Sequence, residues 1–118
     1  MSDLGKVCED KAALYLQSRG YRVLERGWSS PMGEIDVIAL DGKTLVFVEV
    51  RARSSAAYGT PAETVTRAKQ ARIIKTALSY VKTKGLKPET LRFDVIGFTA
   101  GAGPEHIENA FEAGGYTY

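Results

Sequence analysis

The residues most able to do chemistry are two carboxylates set among apolar neighbours. Residues 33–53 read GEIDVIALDGKTLVFVEVRAR, with Asp36 interrupting the first apolar run and Glu49 the second. A carboxylate between Val and Ile is costly unless its charge is compensated. Asp41-Gly42-Lys43 between the runs is a hairpin signal. Side chains alternate faces along a strand, so a two- or four-residue loop puts Asp36 and Glu49 on one face, with Arg51 further along it. A three-residue loop would separate them; the expectation is the first case. An Asp and a Glu converging from adjacent strands offer oxygen ligands to a hard cation, Mg2+ or Mn2+. Such an ion neutralises phosphate charge and makes a bound water nucleophilic. A guanidinium beside them suits a phosphate oxygen rather than the metal. The chemistry these types describe is metal-assisted phosphodiester hydrolysis.

Charge distribution points the same way. The net charge of +2 conceals a segment, residues 51–87, that carries nine Lys and Arg against the single acid Glu63. A concentrated basic stretch on a nearly neutral protein implies a polyanionic partner. Arg53, Arg67, Lys69, Arg72 and Lys75 are the expected contacts to a nucleic-acid backbone, DNA in the first instance. The plainer alternative is a solvated, lysine-rich helix face.

The elements that must position these groups follow from periodicity. Residues 4–19 carry Leu4, Cys8, Ala12, Tyr15 and Leu16 as a helical stripe, with Asp3 or Ser2 as cap and Gly20 as the stop. Glu9 falls at the edge of that stripe, a place for a solvent-boundary residue or for one reaching into a site; spacing alone favours the boundary. Residues 21–28 alternate as a strand, residues 29–33 form a loop, and the hairpin follows. Residues 54–59 are small and polar, a connector or a lip over the site. Residues 66–84 form a second amphipathic helix, capped by Thr66 or Thr64. Its apolar stripe is Ala71, Ile74, Leu78 and Val81, widened by Ile73, Ala77 and Tyr80. Lys69, Arg72, Thr76, Ser79 and Lys82 lie outward. Gln70 lies on the inner side, where its amide needs a partner. Strands at 91–98 and 106–111 complete an α/β arrangement, a small mixed sheet with a helix on each side or both on one.

Composition bounds the class. With 118 residues, 44% of them hydrophobic and 25% charged, the chain is expected to form one domain over residues 1–118. No apolar run reaches membrane-spanning length, and the first residues lack the basic-then-apolar pattern of a signal peptide. The lone Cys8 cannot form an internal disulfide, which fits a reducing, cytoplasmic setting.

GEIDVIA followed by LVFVEVRAR resembles the (G)E-x-D and E-x-K core of the restriction-endonuclease-like PD-(D/E)XK nuclease superfamily. More narrowly, CEDKAA, GYRVLERGW, GEIDVIA, VFVEVRAR, YGTPAETVTRAKQARI and RFDVIGF, in that order, are similar to the YraN-like family of small uncharacterised proteins. That family is related to archaeal-type Holliday junction resolvases. The resemblance covers nearly the full chain. It implies an αβββαβ core with the site on the central hairpin, Asp36 and Glu49 as metal ligands, and Glu9 assisting from the first helix. Glu34 and Gln70 are secondary candidates, although Gln70 is followed four residues later by Ile74 where one related branch has tyrosine. A homodimer is implied too, with Trp28, Tyr58, Tyr116 or Tyr118 available to an interface.

One departure bears on activity. The motif places lysine where this chain has Arg51. Lysine can position or deprotonate water, whereas arginine stays charged and can only stabilise charge. Three readings therefore stand: a slow or substrate-restricted nuclease, a nucleic-acid-binding module without turnover, and an adaptor in which Asp36, Glu49 and Arg51 form an internal ion pair. Other classes fare worse. Gly101-Ala102-Gly103-Pro104 lacks the third glycine and following helix of a dinucleotide loop, so it reads as a turn. The single histidine, His106, has no second His or Cys nearby and reads as a packed or surface residue. Asp94 is a further ligand or a structural hydrogen-bonding group.

Overall fold

Each of the two amphipathic helices needs an apolar surface to cover, and one sheet supplies both. The structure is a computed structural model that describes residues 3–53 and 59–113. In chain order it has α1 (Asp3–Ser18), β1 (Arg22–Ser30), β2 (Gly33–Asp41), β3 (Thr44–Arg53), a 3-10 turn (Pro61–Thr64), α2 (Arg67–Lys84), β4 (Thr90–Thr99) and β5 (Pro104–Phe111). This is the expected αβββαβ core with one more strand, a mixed α/β fold. The strands lie in the order β1-β2-β3-β4-β5, antiparallel except for β3 and β4. That parallel pair requires a long crossover, which the 3-10 turn and α2 provide.

The helices cover opposite faces. Ala12 and Leu16 of α1 pack on Val37, Ala39, Val46, Val48 and Ile96. Ile73, Ile74, Ala77, Tyr80 and Val81 of α2 pack on Ile38, Leu45, Phe47, Phe93 and Val95. Strand β3 feeds both layers, which is why LVFV is an unbroken apolar run rather than an alternating one. On β4, Gly97 lies under the Pro61 ring, and a Cβ there would run into it.

Local signals account for the element ends. Thr66 accepts a hydrogen bond from the Lys69 backbone N–H at 3.1 Å, and Gly85 closes α2 in the left-handed conformation. Two sequence expectations are corrected. Ser29 and Ser30, read as loop, continue β1, so only Pro31 and Met32 turn the chain. Thr76, read as outward-facing, is fully buried and donates to the Arg72 carbonyl at 2.7 Å. Its hydroxyl lies under Gly33, whose missing side chain lets the start of β2 approach the helix. Trp28 packs edge-on against Tyr80 at 5.1 Å, which gives it a partner within the chain. Tyr58, Tyr116 and Tyr118 lie outside the described residues, as do Ser2 and residues 54–58 of the suggested lip.

Edge strand β5 is held by a buried polar network centred on Asp94. Its carboxylate accepts two bonds from Arg92 at 2.9 Å, one from the Asn109 backbone N–H at 2.9 Å, and lies 2.7 Å from His106 Nε2. His106 Nδ1 lies 3.3 Å from the Tyr15 hydroxyl, so the network also ties α1 to the sheet. His106 is thus a packed residue and Asp94 a structural one. Burial pushes the Asp94 carboxyl up, but the bonds from His106, Arg92 and Asn109 outweigh it and hold the group below its ordinary 3.8. A depressed folded-state pKa stabilises the fold above 3.8 and ceases to do so as pH falls through the lower value. Asp94→Asn is expected to cost about 3–5 kcal/mol in urea denaturation at neutral pH, because it leaves buried donors facing an uncharged amide. The wild type should lose that advantage below pH 4 and the variant should not.

Candidate metal centre in the hairpin fork

The hairpin turn has two residues: Asp41 pairs with Thr44, leaving Gly42-Lys43 as the loop. The register then runs as far as Val37 opposite Val48 and goes no further. Beyond that point β2 pairs only with β1, and β3 only with β4. The strands part, and Asp36 and Glu49 are the first residues past the fork.

Parity breaks at the same place. Ile35 and Ile38 both belong to the α2-side core, whereas Val37 and Ala39 belong to the α1-side core. A regular strand would put residues 35 and 37 on one face. The chain turns over between them, so Asp36 points into the gap. There its Oδ2 accepts a bond from the Val50 backbone N–H at 2.8 Å, replacing the lost ladder bond with a side-chain one. Opposite Asp36 on β1 is Gly27, whose φ of +60° is one that L side chains rarely adopt.

Two acids meet here from two sides of the sheet. Glu49 lies on the α2 side, 5% exposed. Asp36 lines a cavity of about 220 Å3 on the α1 side, together with Cys8, Glu9, Glu34, Val50 and Ala52. Burial and then the charge and hydrogen-bonding reach of Asp36 push the Glu49 carboxyl up to about 7; Lys69 and Arg51 only partly offset this. Glu9 is raised as well, first by burial and next by Asp36, with Arg26 at 3.7 Å acting against both. Glu9 therefore faces the acids rather than a plain solvent boundary.

Two carboxylates are oxygen donors of the kind a hard cation takes. Burial first and Asp36 next push the Glu49 carboxyl up, and a divalent ion would offset both. Among the described residues, no group of three or more His, Cys, Asp and Glu converges on one point. Glu9 stands back from the pair, so it would act on such an ion only through water. Two direct carboxylates with water completing the shell suit Mg2+, which binds through one or two carboxylates and keeps several waters. The residues thus fit Mg2+ or Mn2+.

The cations divide differently from the sequence expectation. Arg51 donates through Nε to the Thr64 hydroxyl at 3.0 Å and through Nη2 to the Thr64 carbonyl at 3.0 Å, and its Nη1 lies 3.4 Å from Glu49. It brackets β3 to the 3-10 turn. Lys69, expected among the backbone contacts, instead reaches Glu49 Oε2 at 3.6 Å with its side chain 40% exposed. The available lysine of the site therefore comes from α2 and not from the motif position. Spacing gave one clue, since Lys69 lies in the first turn after the Thr66 cap. That this turn abuts the end of β3 depends on the crossover, which no local pattern encodes. Gln70 donates to the Val65 carbonyl at 3.1 Å, so its amide serves the entry to α2 rather than the acids. Arg67, Arg72 and Lys75 are exposed along α2, and Arg53 donates to the Gly59 carbonyl. Glu34 is exposed at the cavity wall.

Residues 8–98 match the uncharacterised protein family UPF0102. A UPF0102 protein of Persephonella marina is 46% identical over 108 residues, 92% of each chain. One from Geobacter sulfurreducens is 48% identical over 113 residues, 92% of this chain and 88% of its own. One from Rhodococcus jostii is 44% identical over 112 residues, 92% and 95% of the two chains. The names of these relatives specify no activity.

Two measurements check this geometry. Glu49 ionises near 4.5 when unfolded and about 7 when folded, so its protonation favours the folded state. That contribution is complete below pH 4.5 and is lost as pH rises through 7. Glu49→Gln, which imitates the protonated form, should flatten stability across that window; an unchanged slope would place the titration elsewhere. Arg51→Lys should cost about 1–2 kcal/mol in thermal or urea unfolding, since an ammonium cannot replace the paired bonds to Thr64. A variant as stable as the wild type would remove the bracket role.

Proposed function

We propose that this chain, which belongs to the uncharacterised protein family UPF0102, is a metal-dependent nuclease that hydrolyses phosphodiester bonds of nucleic acid. The observation that carries this reading is the pairing of Asp36 with Glu49 in the fork, where Glu49 is pushed up to about 7 although two cations reach it. Asp36 and Glu49 would hold Mg2+ or Mn2+, which when bound neutralises phosphate charge and makes water nucleophilic.

The remaining roles follow from what each side chain can reach. Arg51 fixes the Glu49 carboxylate by bracketing β3 to Thr64. The Lys69 ammonium, less encumbered, holds a non-bridging oxygen of the scissile phosphate and stabilises the charge that develops there. Glu9, raised by burial and by Asp36, takes the proton from the attacking water at its carboxylate. The new bond forms between that water oxygen and phosphorus, the bond to one ester oxygen breaks, and solvent returns a proton to the leaving oxygen. In this arrangement lysine chemistry is retained although Arg51 fills the motif position.

One observation favours a second reading. The Arg51–Glu49 contact at 3.4 Å is the core of an internal ion pair, which would suit an adaptor without turnover. Both cation contacts to Glu49 are longer than the 2.7–2.9 Å usual for strong charge-assisted bonds, so neither saturates the carboxylate.

Cleavage of single-stranded and branched DNA with Mg2+ or Mn2+ tests the proposal. Asp36→Asn and Glu49→Gln should each lower the rate about 100-fold or more, and Lys69→Ala by a similar factor. Cleavage that persists in Glu49→Gln would expose a contaminant. A wild type that neither cleaves nor binds either metal in calorimetry would leave the ion-pair reading.

A further inference from the structure

The cavity at the acids does not end there. A second cavity, of about 400 Å3, shares Cys8 and Ala52 with the first and continues along the α1 side of the sheet. Its lining changes character: where the first cavity presents Glu9, Glu34 and Asp36, the second presents Lys11, Arg53 and Phe98, closed by the turn at Thr99–Ala102. Lys11 is exposed, and Phe98 is half-buried at the rim of the α1-side core. Arg53 is half-buried: its Nη1 donates to the Gly59 carbonyl, and its Nε is buried with no hydrogen-bond partner among the described residues. Two cations and an aromatic face in one groove are the elements by which single strands are held, the cations by phosphate and the ring by stacking.

Lys69 apart, whose turn reaches Glu49, the cations of α2 face away from this groove. Arg67, Arg72 and Lys75 lie on the helix that covers the other face of the sheet. The size of the groove also selects among nucleic acids. Cavities of about 220 and 400 Å3 are small-ligand sized and would admit one backbone with its bases, not a duplex.

We propose that these joined cavities form a track for a single-stranded polynucleotide, with Lys11 and Arg53 on a phosphate beside the acid pair and Phe98 stacked on a base. The proposal rests on the nuclease reading for its direction, since the acid end receives the scissile phosphate. It identifies the substrate at that bond as an unpaired strand, which a branched molecule can also present.

Fluorescence anisotropy of a labelled oligothymidylate with the full chain, in the presence of EDTA, separates this track from catalysis. Binding is expected to be at least tenfold tighter than that of a blunt duplex of equal length. Lys11→Ala should weaken it and reduce the slope of log K against log salt by about 0.7, one phosphate contact on a single strand. Phe98→Leu should weaken it about tenfold with the salt slope unchanged, and Phe98→Tyr should restore it. Arg72→Ala and Lys75→Ala should leave it within about twofold. No binding by the wild type, equal affinity for duplex, or losses at Arg72 and Lys75 rather than at Lys11 and Phe98 would each overturn the track. Because EDTA removes the metal, absent cleavage in the Mg2+ assay would count against the nuclease reading alone, and absent binding here against the track alone.

Discussion

Two paired strands leave no gap for a carboxylate between them, and the rest of this site depends on the place where that pairing stops. Past Val37 and Val48, β2 and β3 turn to different neighbours, and the Asp36 side chain takes over the bond that the ladder would have made to Val50. This substitution fixes one acid in the sheet plane, accessible from the α1 side, while Glu49 stays buried on the α2 side. The backbone thus holds the two acids near each other, because Asp36 cannot withdraw without leaving the Val50 N–H unmatched. A protein that kept such a pair only for stability could replace it with apolar residues at little cost.

From that constraint the neighbours acquire their duties. Glu49 can stay in place because Arg51 holds the end of β3 to Thr64, and the same bonds leave the guanidinium ill-placed to follow a substrate. Lys69 has no comparable anchor, and its position is set from the other end, by the Thr66 cap on its own backbone N–H. One cation near Glu49 is tied to the backbone of the 3-10 turn and the other is held only by its own helix. On the proposed reading, the arginine at the motif position divides the work between two side chains.

Much of this was legible in the chain. The alternation around Asp41-Gly42-Lys43 placed the hairpin, and the helical stripes placed both helices to within a residue or two. Asp36 and Glu49 were identifiable as acids at apolar positions, whereas spacing alone put Glu9 at a solvent boundary. What escaped was everything set by the meeting of distant segments. The overturn of β2 at Asp36 contradicts simple parity, because strand pairing with β1 and departure from β3 together rotate it. Thr76 was misread as outward because its burial depends on Gly33 from another element. Lys69 was grouped with Arg72 and Lys75 by charge and helix face, although the crossover carries its turn alone to the end of β3.

That last point alters how the basic segment is to be understood. Nine cations in residues 51–87 suggest one surface, yet the fold distributes them. Arg51 and Arg53 end β3, Lys69 enters the fork, Lys84 lies 3.7 Å from Glu25, and Arg67, Arg72 and Lys75 remain on the exposed side of α2. Two basic regions on opposite faces of a thin sheet, with the acids at the fork between them, cannot both follow one strand continuously. A single strand laid in the α1-side groove, as proposed, would leave the exposed cations of α2 untouched. The separation of the cations, more than their number, is what the fold adds to the composition.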